Sequence, residues 1–143
     1  MLLEAPGQNS LDIYSIWEYS RFVGTWQTKS AEQFEHDVKK LFKRHPEDTQ
    51  RALANLKAYL ENLGRCDNPL LVAKLMTCIH REASGCVAVT EQPAPKNSVP
   101  VRLYLYASAV DKTVHLICAG DKKTQKIDND CCQRYVKKHI KKP

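Results

Sequence analysis

The sequence is poor in glycine, with five in 143 residues, and in methionine, with two. Nothing in it reads as a glycine-rich phosphate loop, because the G-x-x-x-x-G-K spacing is absent. Although six cysteines and five histidines are present, no C-x-x-C or H-x-x-x-H pair occurs, which argues against a structural zinc site. The longest apolar runs fall far short of the ~20 residues that cross a membrane. The opening Met1-Leu2-Leu3-Glu4-Ala5-Pro6 has neither a basic n-region nor an apolar h-region, so no secretory signal is expected. Without export, the six cysteines are expected as free thiols in a cytoplasmic protein, and the adjacent Cys131 and Cys132 are poorly placed to pair with each other. No metal and no cofactor is expected.

What is present is ordinary for a globular chain, at 43% hydrophobic and 27% charged residues, apart from where the charge lies. From Lys122 to Pro143 there are eight basic residues and two acidic ones, a net of +6 that equals the excess of the whole chain. Residues 1–121 are balanced. A one-ended excess directs a field at a polyanion or an acidic partner, although a solvated basic tail has the same composition.

Residues 1–12 are polar, carry Pro6 and Gly7, and are expected as a flexible segment before one domain over 13–143. Ile13, Ser15 and Trp17 alternate as an initial strand would. Ser30 with Gln33 makes a capping-box pattern, and Phe34, Val38, Leu41 and Phe42 follow at helical spacing. Pro46 stops that helix at His45 and opens a second, with the stripe Leu53, Leu56, Leu60 and Leu63 and with Gly64 placed to end it. So short a link predicts a helical hairpin. Strands are then predicted over Leu75–His80, Cys86–Thr90, Val101–Ser108 and Thr113–Ala119, with a proline-bearing loop from Glu91 to Pro100 and a turn at Val110-Asp111-Lys112. A last helix is expected over Asp130–Lys141, capped by Asp128 or Asp130. The class is α+β: a helical hairpin on a mostly antiparallel four-stranded sheet, closed by a short C-terminal helix.

Two segments carry candidate chemistry. In the strand from Val101, the aliphatic Val101, Leu103 and Leu105 alternate with Arg102, Tyr104 and Tyr106, which sets a cation beside two aromatics able to stack on bases or on each other. Gly120 then offers a sharp turn into Lys122-Lys123-Thr124-Gln125-Lys126, a segment suited to holding phosphate.

The run Val101-Arg102-Leu103-Tyr104-Leu105-Tyr106, the apolar strand from Thr113, and Gly120-Asp121-Lys122-Lys123-Thr124 together resemble the second half of RelE/ParE/HigB toxins. In that superfamily an R-x-x-Y strand, a turn, an apolar strand and a basic segment precede a terminal helix. Cys78-Ile79-His80-Arg81 is similar to the strand before the arginine strand. The resemblance covers about 30–141 in architecture and 78–126 in motif. It implies a type II toxin–antitoxin toxin and, for the RelE and HigB branches, a ribosome-dependent mRNA endonuclease using metal-free attack by the 2′-hydroxyl. On matching positions, Arg102, Lys122 and Lys123 would stabilise the phosphate and His80 would transfer a proton. Arg81, Tyr104, Tyr106, Lys126, Arg134, Lys137, Lys138 and Lys141 would bind RNA. The implied partners are a cognate antitoxin, the ribosome and mRNA, with DNA reached only through the antitoxin complex and no membrane contact. The chain departs from the pattern in its long 87–100 loop and in lacking a tyrosine soon after Lys122-Lys123-Thr124, where Lys126 is the nearest substitute. The ParE branch acts on DNA gyrase without cleaving RNA, so a non-enzymatic binding module, gyrase-directed or RNA-binding, is the alternative.

Overall fold

The computed structural model describes residues 22–23, 25–97 and 100–140. The expected flexible segment 1–12, the strand near Ile13 and Lys141 lie outside the described residues. The architecture is α+β with a mixed sheet. Strands β1 (Phe22–Val23) and β2 (Trp26–Ser30) lead into helices α1 (Glu32–Arg44), α2 (Pro46–Cys66) and α3 (Pro69–Leu75). Strands β3 (Ile79–Arg81), β4 (Val87–Thr90), β5 (Val101–Ser108) and β6 (Thr113–Asp121) follow, then helix α4 (Gln125–Tyr135), whose end widens into a π-turn at Val136–Ile140. The sheet order is β1-β2-β6-β5-β4-β3. The four later strands pair antiparallel with their chain neighbours, as their spacing predicts, whereas β2 adds to β6 in parallel.

β6 is the central strand and is buried on both faces, which is why Thr113 to Gly120 reads as a nearly continuous apolar run. On one face the stripe Leu53, Leu56, Leu60 and Leu63 of α2, with Phe34 and Val38 of α1, packs against Val101, Leu103, Leu105, Val114 and Leu116. On the other, α4 covers a smaller cluster of Cys86, Ala88, Tyr104, Ile117, Cys118 and Cys132. The β5 alternation therefore has two buried sides. Tyr104 is 0% exposed, contrary to its expected role as a base-stacking platform.

Several element ends differ from expectation. Ser30 does not cap α1. It ends β2, its hydroxyl is buried without a partner, and the Ala31 amide donates to the Leu116 carbonyl at 2.9 Å as a last rung of the β2–β6 ladder. α2 continues past Gly64 to Cys66, and its C-cap Asp67 adopts a left-handed conformation (φ 58°) while its carboxylate accepts from Trp26 Nε1 at 2.6 Å and pairs with Lys112. The strand predicted over Leu75–His80 begins only at Ile79: Leu75 ends a helix from Pro69, which Asn68 caps by accepting from the Leu71 amide at 3.1 Å. Among the described residues no helix is long and apolar enough to cross a membrane.

α4 begins at Gln125, five residues before Asp130, and Asp128 is a buried residue within it, not its cap. The N-cap position of α4 is Thr124, and the capping box belongs to the 3₁₀ turn Lys122–Thr124 that runs into it: Asp121 Oδ1 accepts from the amides of Lys123 at 2.9 Å and Thr124 at 3.3 Å, while Thr124 Oγ1 accepts from the Asp121 amide at 3.2 Å. Gly120 is not a turn residue either. It lies in β6, and a Cβ there would come within 2.2 Å of both Asp128 Oδ2 and Thr124 Oγ1. Its lack of a side chain admits α4 to the sheet. Gly120→Ala should therefore lower stability by about 1–3 kcal/mol through overpacking. Urea unfolding reads this directly, and a midpoint equal to wild type would contradict it.

Candidate functional site

The β5–β6 register sets Arg102 opposite Gly120 and Val101 opposite Asp121. With strands about 4.8 Å apart and about 3.3 Å per residue, the Lys122 backbone lies ~8 Å from that of Arg102. Lys122 and Lys123 occupy a 3₁₀ turn, Lys122–Thr124, that leaves the sheet beside Arg102, and both are exposed. The sequence-predicted trio of Arg102, Lys122 and Lys123 is thus brought to one end of the sheet.

Arg102 is not a free cation. Its Nη1 donates to Glu82 Oε2 at 3.1 Å, with the two side chains only 17% and 9% exposed. The other Glu82 oxygen accepts from Asn129 Nδ2 at 3.1 Å, and Asn129 Oδ1 accepts from the Ala83 amide at 3.3 Å. This network ties β5, the β3–β4 connection and α4 together. Glu82 and Asn129 carry no motif, and their part in the site is legible only once α4 is seated. Arg102 Nε is buried without a partner.

The remaining predicted residues divide by position. His80 is on the edge strand β3, opposite Ala88, which in turn lies opposite Tyr104. Two strands and two residues separate it from Arg102, a Cα distance of ~12 Å, so it does not share their site. Arg81 is exposed on the same edge, and Tyr106 is half-buried with its ring against Gly85. Both line a separate, larger cleft near His115 and His139. There His115 Nδ1 meets the Tyr135 hydroxyl at 2.9 Å, and burial holds the His115 pKa below its usual value. Lys126, Arg134, Lys137 and Lys138 are exposed along α4 and its π-turn.

A cleft of about 320 Å³ adjoins the Lys122–Thr124 turn, between α1 and α4 at the exposed edge of β6. It exists because β2 pairs with β6 only as far as Leu116. Beyond that point Asp37 of α1 replaces a strand neighbour, its Oδ2 accepting from the Ala119 amide at 3.1 Å and its Oδ1 from Gln33 Nε2 at 2.7 Å. Lys40 and Arg44 of α1 and Arg134 of α4 line the cleft. Among the described residues no ion pair engages these three or the turn lysines. The acids beside them are committed inward: Asp37 to the β6 edge, Asp121 to the cap, and Asp128 Oδ2 to the Thr124 hydroxyl at 2.7 Å. The accessible charge is therefore cationic, and the cleft is suited to a phosphate-bearing ligand. The α1 cations were not read from the sequence, because they lie some eighty residues from the basic segment. Among the described residues no group of three or more His, Cys, Asp or Glu side chains is arranged to hold a metal ion.

Burial pushes the Asp128 carboxyl up from 3.8 to about 6, with the Thr124 hydrogen bond opposing. The folded state thus holds the proton more tightly than the unfolded chain, and stability falls as pH rises from about 4 to about 6. Glu91, 2% exposed on another part of the molecule and raised to about 7 mainly by burial, adds a parallel fall. Asp128→Asn should remove the first contribution alone. Its stability relative to wild type should increase from pH 4 to pH 7 in urea titrations, and a pH-independent difference would show that Asp128 is not the titrating group. Compared with known proteins, the chain matches no family model, no curated protein and no solved structure.

Proposed function

We propose that the chain is the toxin of a type II toxin–antitoxin pair of the RelE/HigB kind, acting in the cytoplasm on ribosome-bound mRNA. One observation carries the reading: the Arg102–Gly120 register, which brings the arginine strand and the Lys122-Lys123 turn to one end of the sheet. The helices preceding the antiparallel β3–β6 strands and the terminal helix α4 support it as well. In this reading Lys122 and Lys123 hold the scissile phosphate, and Arg102 joins them as charge develops in 2′-hydroxyl attack. Lys40, Arg44 and Arg134 guide the flanking backbone. The antitoxin neutralises the toxin by covering this basic end.

A second reading has its own observation. Arg102 is engaged by Glu82 and partly buried, which suits a scaffold role in a non-cleaving module, gyrase-directed or RNA-binding.

Expression of the chain should degrade ribosome-bound transcripts. Arg102→Ala should reduce cleavage by about 100-fold or more, the scale of losing one group that stabilises a transition-state anion. Because that substitution also strands Glu82, the exposed pair Lys122→Ala with Lys123→Ala is the companion test, expected to lose cleavage with an unchanged melting temperature. Growth arrest with intact mRNA would overturn the nuclease reading, and accompanying DNA damage would point to gyrase. Binding to single-stranded RNA should weaken with salt at a log–log slope near −3 for about four phosphate contacts. A salt-independent affinity would remove the electrostatic basis of either reading.

A further inference from the structure

Four of the six cysteines, distant in sequence, converge under α4. Cys86 of the β3–β4 connection, Cys118 of β6 and Cys132 of α4 are each 0–1% exposed in the same cluster, and Cys131 packs against it. Cys118 Sγ lies 3.9 Å from Cys132 Sγ and 3.6 Å from the Asp128 carbonyl. All are free thiols. Cys131 differs from the others in access: it is half-exposed, and together with Cys118 it lines the cleft beside Arg134. We propose that Cys131 and Cys118 form a hydroperoxide-reactive dithiol, in which Cys131 is oxidised from the cleft and Cys118 captures it as a disulfide joining α4 to β6.

The chemistry balances with a hydroperoxide as oxidant. The Cys131 thiolate attacks the distal peroxide oxygen. An S–O bond forms, the O–O bond breaks, and the alkoxide or hydroxide leaving group takes a proton to depart as alcohol or water. Cys131 is then a sulfenic acid, oxidised by two electrons. The Cys118 sulfur attacks it, an S–S bond forms, the S–O bond breaks, and hydroxide leaves as water with the Cys118 proton. In sum, two thiols and one hydroperoxide give a disulfide, an alcohol or water, and water.

Hydrogen bonds to Cys131 and Cys132, and then burial, push the Cys118 thiol far up, so it keeps its proton. The hydrogen bond from Cys118, aided by the charge of Arg134, holds Cys131 below its usual range against burial. Cys132 is lowered further, to about 4, by Cys118 and Cys86, but it is 0% exposed and does not line the cleft, so Cys131 is the thiol a hydroperoxide reaches. A lowered, accessible thiol beside a cation is the reactive kind, and the resolving Cys118 sulfur gives up its proton to the departing hydroxide as the S–S bond forms.

The test uses the reduced full-length chain with Cys66→Ser, which removes the exposed thiol that would otherwise link two molecules. After hydrogen peroxide, alkylation and trypsin, peptide 113–122 should be joined to peptide 127–134, with two thiols lost per chain. Cys131→Ser should slow this linkage at least ten-fold, and Cys132→Ser should leave it intact. Cys118→Ser should stop at a Cys131 sulfenic acid that a dimedone probe labels. Linkage at the wild-type rate in Cys131→Ser would overturn the proposal. So would unlinked peptides with Cys131 carried through to sulfinic acid. The readout is independent of RNA cleavage, so it stands or falls apart from the toxin reading.

Discussion

The seating of α4 on β6 is the contact on which the site depends. The chain leaves β6 at Asp121, turns through Lys122–Thr124, and lays Asp128 and Thr124 over the place where residue 120 has no side chain. That contact closes one cluster of the core, buries Tyr104, delivers Asn129 to Glu82 and so fixes Arg102, and sets Cys131 and Cys132 beside Cys118. It also sets the direction in which the turn lysines project. A helix that began at Asp130 would have left Lys122 to Lys126 as a loop. Because Asp121 caps the turn, the lysines are held on a short, hydrogen-bonded segment.

The second constraint is the early end of β2. Parallel pairing stops at Leu116, and the exposed edge of β6 is completed by a side chain, Asp37, instead of a strand. This leaves a cleft where α1 and α4 approach from opposite faces of the sheet, each contributing cations while the nearby acids satisfy backbone and hydroxyl donors. Local charge and formal charge differ there. Three cations and three carboxylates from α1, the end of β6 and α4 line the cleft, but the carboxylates are turned inward.

Much of this was legible in the sequence where periodicity is strong. The Leu53–Leu63 stripe, the strand Val101–Ser108 and the apolar run from Thr113 have patterns that only one kind of element satisfies. Element ends were less legible, since Ser30, Gly64 and Asp128 each carry a local signal that a distant partner outweighs: Leu116, the Trp26–Lys112 pair and Gly120 respectively. Arg102 and the turn lysines were found from their residue types and from a resemblance in short motifs. Their juxtaposition follows from the β5–β6 register. The burial of Tyr104, the distance of His80 and the Arg102–Glu82 pair depend on what covers each face, which alternation within one strand does not specify. The thiol cluster had no sequence signal, because its members come from three segments with no shared spacing.

The central claim is that RNA lies along the basic end formed by the Lys122–Thr124 turn and the α1–α4 cleft. Ultraviolet cross-linking of a short single-stranded RNA to the intact protein, with peptide mapping, tests it most directly. The account predicts cross-links concentrated in residues 40–44, 122–126 and 131–134. Cross-links confined to the β3 edge around Arg81, or to the larger cleft near His115, would contradict it.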